Sequence, residues 1–231
     1  MNSTLKYSPK AIFVQLSTNK VYGDNPNKIK LKENLLRFVP NNLKKYEKGF
    51  DESLSTDHCT HSFFGVSKTY ADYLAQEFGK NFNLKVGIFR AGCITGPNHS
   101  SAKLHGFLSY LVKSCVLKHK YNIIGYKGKQ VRDNIHSSDL LNCLWEFIKK
   151  PKKGEVYNIG GGTYSNCSIL ECIKYIEQKK NIKIKINYTS EERVGDHIWY
   201  VSDTRKFKKD YPNWTQKYNT KKILDELLND Y

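Results

Sequence analysis

The sequence predicts an α/β protein built around a parallel β-sheet. Residues 11–17 (AIFVQLS) form a nearly continuous apolar run that ends in small polar residues, which is typical of a strand buried on both faces of a parallel sheet. Residues 64–82 carry apolar side chains near helical spacing, and a second short apolar run follows at 86–89. This strand, helix, strand order predicts a βαβ unit with a right-handed crossover.

The rest of the chain alternates shorter elements. Residues 23–60 are polar and irregular, and we expect them to form a long excursion over a site. Periodicity predicts helices near 104–118 and at 138–149, 165–179 and 220–229. It predicts strands at 121–124, 131–135, 156–159 and 182–187, with an extended segment around 198–202.

The composition is that of a folded protein. The 231 residues are 39% hydrophobic and 13% aromatic, which is enough apolar surface for the core of one domain, and no Pro-, Gly- or Ser-rich tract indicates disorder. The apolar runs fall far short of the roughly 20 residues of a membrane span, and the N-terminus lacks the apolar centre of a secretory signal. We therefore expect a soluble, cytoplasmic protein with no membrane partner.

The net charge of +16 raises the question of nucleic-acid binding. Of the 38 basic residues only five are arginine and 33 are lysine, spread along the whole chain among asparagine, isoleucine and tyrosine. Sequence readers of DNA or RNA prefer the bidentate fork of arginine. The charge therefore indicates a solvated lysine-rich surface, and we expect no nucleic-acid partner.

The six cysteines are expected to be reduced thiols that fill small gaps. The chain has no export signal, and none of the cysteines forms a Cys-x-x-Cys pair. No Cys/His cluster has the spacing of a zinc site. We therefore expect no metal.

Two short sequence motifs contain residues that could bind a ligand or take part in catalysis. Ser17–Asp24 (STNKVYGD) lies where the first strand ends, and a hydroxyl fixed there can hydrogen-bond a substrate during proton or hydride transfer, or simply cap a turn. Phe63–Lys68 (FFGVSK) opens the long helix. A lysine one turn into a helix can bind a ribose and hold down the pKa of a neighbouring group.

Four further strings follow in order: FRAGCITGP at 89–97, GKQVRDNIHSSDL at 128–140, YNIGGG at 157–162 and RVGDHIWY at 193–200. With the first two, they make residues 11–215 resemble the extended short-chain dehydrogenase/reductase family of nucleotide-sugar epimerases and dehydratases. STNKVYGD and GPNHS (96–100) are similar to its CDP-paratose (CDP-tyvelose) 2-epimerase group. The resemblance implies the C-terminal part of a Rossmann-type doubly wound parallel sheet in residues 1–100. It also implies a smaller α/β lobe that binds the nucleotide sugar, mainly in 101–231.

The resemblance implies roles for particular residues. Thr18 would order the sugar, and Lys68 would bind the nicotinamide ribose of NAD and lower the pKa of an active-site tyrosine. Arg132 and Arg193 match positions that grip the nucleotide diphosphate, where bidentate arginine is favoured. Further cofactor contacts would be Ser17 and Ala91, and further substrate contacts Asn98, His99, Asn122 and Ile124.

One departure from the family pattern bears on catalysis. The family's acid/base tyrosine sits four residues before the lysine, and this chain has Phe64 there, which cannot exchange a proton. Tyr22, Tyr70 or a water held by Thr18 are the candidate replacements. If none of them serves, we expect turnover to be lost or very slow.

The residues after the threonine bear on the type of reaction. In the dehydratase branch an Asp-Glu pair follows the threonine and acts as acid and base for water elimination. Here those positions are Asn19 and Lys20, which disfavours dehydration.

Arg90, at the end of a strand, is expected to be structural.

A second departure concerns the cofactor. Family members begin with a βαβ unit that carries Gly-x-x-Gly-x-x-Gly, and no such motif precedes Ala11. The cluster Gly160–Gly162 has the wrong spacing and is expected to form a tight turn. The chain is therefore expected to start at the fourth Rossmann strand with an unpaired apolar edge. We expect the chain alone either to be poorly soluble or to need a separate N-terminal Rossmann fragment. The resemblance implies that a homodimer would pair through the long helix 64–82 and its missing neighbour, and it leaves the oligomeric state open.

The expected activity is the NAD-dependent epimerisation of a nucleotide-diphosphate sugar through a transient keto sugar. NAD would be regenerated, so no net oxidation would occur. Two alternatives stay open: a non-catalytic remnant or subunit that binds a nucleotide sugar, and a C4 epimerase of a related UDP-sugar. Phe64 and the missing glycine motif favour the non-catalytic alternative.

Overall fold

The structure is a computed structural model that describes residues 1–99, 106–191 and 194–230, and it confirms the α/β class. Its strands are β1 (Ile12–Thr18), β2 (Leu31–Glu33), β3 (Phe38–Pro40), β4 (Lys85–Ala91), β5 (Cys93–Thr95), β6 (Tyr121–Ile124), β7 (Val131–His136), β8 (Lys153–Ile159), β9 (Asn166–Ser168), β10 (Ile186–Thr189) and β11 (Trp199–Tyr200). Its helices are α1 (Asn2–Tyr7), α2 (Phe63–Asn81), α3 (Phe107–Val116), α4 (Ser137–Lys149), α5 (Ile169–Lys180), α6 (Arg205–Asp210) and α7 (Thr220–Asn229). None of the described helices is long and apolar enough to cross a membrane.

Three parallel strands in the order β1–β4–β8 form the first sheet, and the predicted βαβ unit is β1–α2–β4. Helix α2 packs on one face, where Ala75 meets Val86 and Ile88 in a small core. On the opposite face Phe89 and Phe147 belong to an aromatic core that includes residues of α4 and α6. Helices on both faces of a parallel sheet are the architecture expected of a Rossmann-type protein.

Strand β1 lies at the edge of this sheet, because among the described residues it pairs with β4 alone. Its side chains Ile12, Phe13 and Val14 are only partly buried, and Leu16 is 43% exposed. The prediction that both faces of this strand are fully buried is therefore wrong. An edge strand lacks the second neighbour whose side chains would complete its cover.

A second group of strands forms around β7, which pairs in parallel with β5 and β11 and antiparallel with β9. A separate parallel pair, β6 and β10, lies with helices α3, α5 and α7. Most of the buried residues there are leucine and isoleucine, such as Leu111, Ile176 and Leu224. The chain therefore carries further α/β structure beside the first sheet, and β8 returns from this half of the sequence to pair with β4.

Some helices and strands begin or end at other residues than the sequence predicts. Residues 166–168 of the predicted helix 165–179 form β9, and the helix begins only at Ile169, where Ser168 and Glu171 make a capping box. The strand predicted at 182–187 begins at Ile186, because the backbone amides of Ile182 and Ile184 first bond to Glu177. The helix predicted near 104–118 is observed from Phe107 to Val116, and residues 104 and 105 lie outside the described part.

The long excursion 23–60 is anchored to the rest of the protein. The strands β2 and β3 pair antiparallel, and Phe50 forms a parallel bridge to Ser202. At Gly49 the backbone has φ +93°, and a Cβ there would lie 2.2 Å from the carbonyl oxygen of Val201. Only glycine fits this close approach, which holds the excursion against β11.

Candidate functional site

A cavity of about 450 Å³ lies where β1, β5, β6 and β7 come together, and its volume is within the range of small-molecule sites. The ends of β1 and β5, the start of α2 and the segment after residue 193 contribute to its wall. The residues that line it are Thr18, Asn19, Lys20, Ser62, Phe64, Gly92, Cys93, Ile94, His99, Gly106, Phe107, Tyr121, Asn122, Ile124, Gln130, Arg132, Ile169, Val194, Gly195 and Asp196.

Thr18 is fixed at the edge of this cavity by its strand. The parallel register places it beside Ala91 at the carboxyl ends of β1 and β4. Its hydroxyl accepts a hydrogen bond from the backbone amide of Lys20 at 3.3 Å and donates to Asn19 at 3.4 Å. The residue is thus both the cap of a short 3-10 helix, Asn19–Tyr22, and a wall of the cavity.

Phe64 occupies the position expected for the family tyrosine, and its ring lines the cavity. Helix α2 begins just before it, because the Ser62 hydroxyl accepts a hydrogen bond from the Gly65 amide at 3.1 Å. The Lys68 ammonium lies 5.9 Å from the centre of the Phe64 ring and 3.2 Å from the carbonyl oxygen of Leu16. The predicted pair of aromatic residue and lysine is therefore together in space, but its aromatic member has no hydroxyl.

A charged cluster of Lys20, Arg132 and Asp196 lies in the cavity wall. The Arg132 guanidinium donates to Asp196 Oδ1 at 2.7 Å, and the Lys20 ammonium lies 3.3 Å from the same oxygen. Burial alone would raise the pKa of Asp196, but the two adjacent cations outweigh it and hold this pKa well below its usual range. Burial lowers the pKa of Lys20, while Asp196 opposes that shift.

A buried hydrogen-bond network crosses the first sheet just below the strand ends. The Asp72 carboxylate accepts two bonds from Arg90, at 2.9 and 3.0 Å, and one from the Ser17 hydroxyl at 2.5 Å. Arg90 also donates to the Tyr22 hydroxyl at 3.1 Å, and that hydroxyl donates to Asn158 at 2.8 Å. The structural role predicted for Arg90 is confirmed. The Ser17 hydroxyl is engaged inside the protein.

Tyr22 and Tyr70, two of the candidate replacements for the family tyrosine, do not line the cavity. Tyr22 is fully buried in the network, and burial raises its pKa to about 12 despite Arg90. Tyr70 is 69% exposed on α2 and is not one of the residues that line the cavity. Neither phenol lines the cavity, so the structure supports neither as a replacement for the tyrosine.

The structure brings together most of the predicted substrate contacts. Thr18, His99, Asn122, Ile124 and Arg132 all line the cavity. Asn98 is exposed in a turn and is not among the residues that line the cavity in the described part of the chain. Arg193 lies outside the described residues.

Several lining residues were not predicted. Lys20 and Asp196 lie 176 positions apart in the sequence, and only the fold places them in contact. Both belong to quoted strings, STNKVYGD and RVGDHIWY, so their charge within a motif was the available signal. Gln130 also belongs to a quoted string, GKQVRDNIHSSDL, whereas Phe107 belongs to none.

A sequence model described as the NAD dependent epimerase/dehydratase family matches residues 2–160. The match covers more than half of the chain. The chain belongs to the NAD dependent epimerase/dehydratase family. This membership agrees with the strand-end threonine, the lysine of α2 and the parallel sheet.

Three relatives of this epimerase/dehydratase chain match nearly its whole length. A CDP-paratose 2-epimerase of Salmonella typhi is 28% identical over 98% of the chain and 67% of its own length. A dTDP-glucose 4,6-dehydratase of Bacillus anthracis, solved with NAD, has a TM-score of 0.76 at 24% identity, covering 100% of this chain and 64% of its own. A UDP-glucuronic acid 4-epimerase of Bacillus cereus has a TM-score of 0.69 at 23% identity, covering 95% and 62%. It was solved as a tyrosine-to-phenylalanine variant with a UDP sugar and NAD. The chain spans about two thirds of each relative.

NAD is the family's cofactor, and Lys68 is the residue expected at its nicotinamide ribose. The Lys68 ammonium has one described acceptor, the Leu16 carbonyl, and lies near the end of β1. The cluster Gly160–Gly162 does not fit a phosphate: the Gly162 amide already donates to Asp133 at 3.0 Å. A Cβ on Gly160 would lie 2.1 Å from the same carboxylate, so these glycines form the predicted tight turn.

Proposed function

We propose that this chain forms the nucleotide-sugar-binding part of an NAD-dependent epimerase that resembles CDP-paratose 2-epimerase. The observation that carries the proposal is the cavity in which Thr18, from the end of β1, and Arg132, from β7, line one space of ligand size. Arg132 and Arg193 would hold the diphosphate, because guanidinium groups bind phosphate oxygens bidentately. Asn122 and Ile124 would contact the base, and Thr18 the sugar.

The proposed reaction inverts one carbon of the sugar through a keto intermediate. NAD, when bound, supplies the acceptor and then the donor of a hydride. Lys68 would hold its ribose, with Ser17 and Ala91 beside it through their places at the strand ends. The cavity has Asn19 and Lys20 in place of a carboxylate pair, which supports epimerisation over water elimination.

Phe64 supports a second candidate, a subunit that binds a nucleotide sugar without turning it over. A ring without a hydroxyl stands where proton transfer is needed, and neither Tyr22 nor Tyr70 reaches the cavity. A fold of this type retains ligand binding without one of its phenols, since the Bacillus cereus tyrosine-to-phenylalanine variant was crystallised with a UDP sugar and NAD. Both candidates share the cavity and its ligand.

We also propose that residues 1–100 act as a partial Rossmann domain and that 101–231 mainly bind the nucleotide sugar. The exposed edge of β1 supports pairing with a separate N-terminal Rossmann fragment. The outer side of α2 supports a homodimer, because Phe63, Val66 and Tyr70 are 97%, 55% and 69% exposed. A chain that is monodisperse, monomeric and cooperatively melting by itself would contradict both partner proposals.

Ligand-induced stabilisation tests the proposed function. A ligand present at about 100 times its dissociation constant stabilises the folded state by about 2.7 kcal/mol, which raises the Tm of a chain of this size by roughly 5–10 °C. We expect a rise of this order with CDP-glucose or UDP-glucose and none with free glucose. Differential scanning calorimetry measures it, and equal Tm values for all three sugars would contradict the proposal.

A further inference from the structure

Lys20 brings a cation to the wall of the cavity. Its ammonium donates to the carbonyl oxygen of Gly195 at 2.9 Å and lies 3.3 Å from Asp196 Oδ1. The side chain is 26% exposed and lines the cavity. An ammonium carries three N–H donors, and the described residues supply acceptors for two of them. The third is available to a ligand.

The backbone places Lys20 beside the residues that would meet the sugar. Thr18, Asn19 and Lys20 follow one another at the end of β1, and all three line the cavity. The Lys20 carbonyl oxygen also packs against the first turn of α2, where a Cβ on Gly65 would lie 2.9 Å away. That turn carries Phe64. The lysine is therefore held between the strand-end threonine and the start of the helix.

Asp196 fixes the Lys20 side chain and links it to Arg132. Both cations contact the same carboxylate oxygen, so the ammonium and the guanidinium are close enough to contact one ligand. Two cations face one carboxylate in this cluster, which leaves one positive charge without a counterion inside it. Such a cluster favours a ligand that is anionic and rich in oxygen.

We propose that Lys20 is a specificity-determining residue that donates a hydrogen bond to an oxygen on the sugar of the bound nucleotide sugar. The inference rests on the proposed function. It assigns the two cations of the cluster to different parts of the ligand. Lys20 serves the sugar, whereas Arg132 serves the diphosphate. A charged donor at this place selects a sugar with an oxygen within its reach and stabilises negative charge on that oxygen.

Isothermal titration calorimetry with matched ligands tests this division. We would titrate the full chain and its Lys20→Met variant with CDP-glucose and with CDP, and with UDP-glucose and UDP. Loss of a charge-assisted hydrogen bond is expected to weaken binding of the nucleotide sugar about tenfold and to change binding of the nucleoside diphosphate less than about twofold. The Lys149→Met variant removes a lysine paired with Glu146 on α4 and should change neither affinity.

The outcomes separate this inference from the function on which it rests. An equal loss for both ligands would place Lys20 at the diphosphate, and no loss would remove it from the ligand; either result overturns the inference while leaving the proposed function intact. A wild-type chain that binds none of the four ligands overturns both. If Lys20→Met melts below the assay temperature, Lys20→Gln removes the charge with smaller disturbance and is expected to show the same selective loss.

Discussion

Replacement of Asp72 by alanine is expected to lower the free energy of unfolding by about 3–5 kcal/mol, because it leaves a buried guanidinium without its carboxylate. Arg90 and Asp72 are both almost fully buried and share two hydrogen bonds. The Ser17 hydroxyl loses its acceptor in the same change. Since Ser17 and Arg90 belong to β1 and β4, the loss loosens the strand ends that form the site.

Urea denaturation followed by circular dichroism measures this prediction. The matched control is Glu77→Ala on the same helix, which breaks the exposed pair with Lys80. An exposed ion pair contributes only about 0–1 kcal/mol, so this variant should unfold close to the wild-type midpoint. Equal midpoints for the Asp72 and Glu77 variants would show that the buried network does not hold the sheet together.

Replacement of Phe64 by tyrosine is expected to raise epimerase turnover by about 10²–10⁴-fold, the usual contribution of a positioned proton-transfer group. The new hydroxyl would extend from a ring that already lines the cavity and lies 5.9 Å from the Lys68 ammonium. A nearby cation favours the ionised form of a phenol and lowers its pKa. The assay contains NAD and a nucleotide sugar, and it is run without and with a co-expressed glycine-rich Rossmann segment from a relative.

The control for this variant is Phe63→Tyr, which adds a phenol at the neighbouring position. Phe63 is 97% exposed and does not line the cavity. Spectrophotometric titration of the chain without cofactor should show a phenol pKa below about 10 for Phe64→Tyr and near 10 for Phe63→Tyr. The same pKa for both variants, together with no gain in turnover, would favour the subunit that binds without catalysis.

The first sheet could be predicted because local patterns determine it. A buried strand and a long helix have distinct periods, and 11–17, 64–82 and 86–89 correspond to β1, α2 and β4. The strand at 166–168 could not be predicted from its local pattern. It becomes a strand because it pairs with β7, a contact made across more than thirty residues. Tertiary pairing overrides local propensity at such places.

Site residues that lie within a recognisable motif could be predicted from the sequence. Contacts between charged residues that only the fold brings together could not. Thr18 and Arg132 come from recognisable strings and both line the cavity. The pairing of Lys20 and Arg132 through Asp196 depends on three distant segments, and no spacing in the sequence reveals it. Asn98 also belongs to a motif, but it lies in an exposed turn, and its contact with the substrate stays a prediction.

The central claim is that this cavity holds a nucleotide diphosphate sugar through Arg132, and calorimetric titration of CDP-glucose and UDP-glucose into wild-type and Arg132→Met chains tests it most directly. We expect the wild-type chain to bind one molecule per chain. Loss of the guanidinium should weaken that binding by about tenfold to a hundredfold, because a charge-assisted phosphate contact disappears. Equal binding by both chains, or no binding by the wild type, would contradict the account.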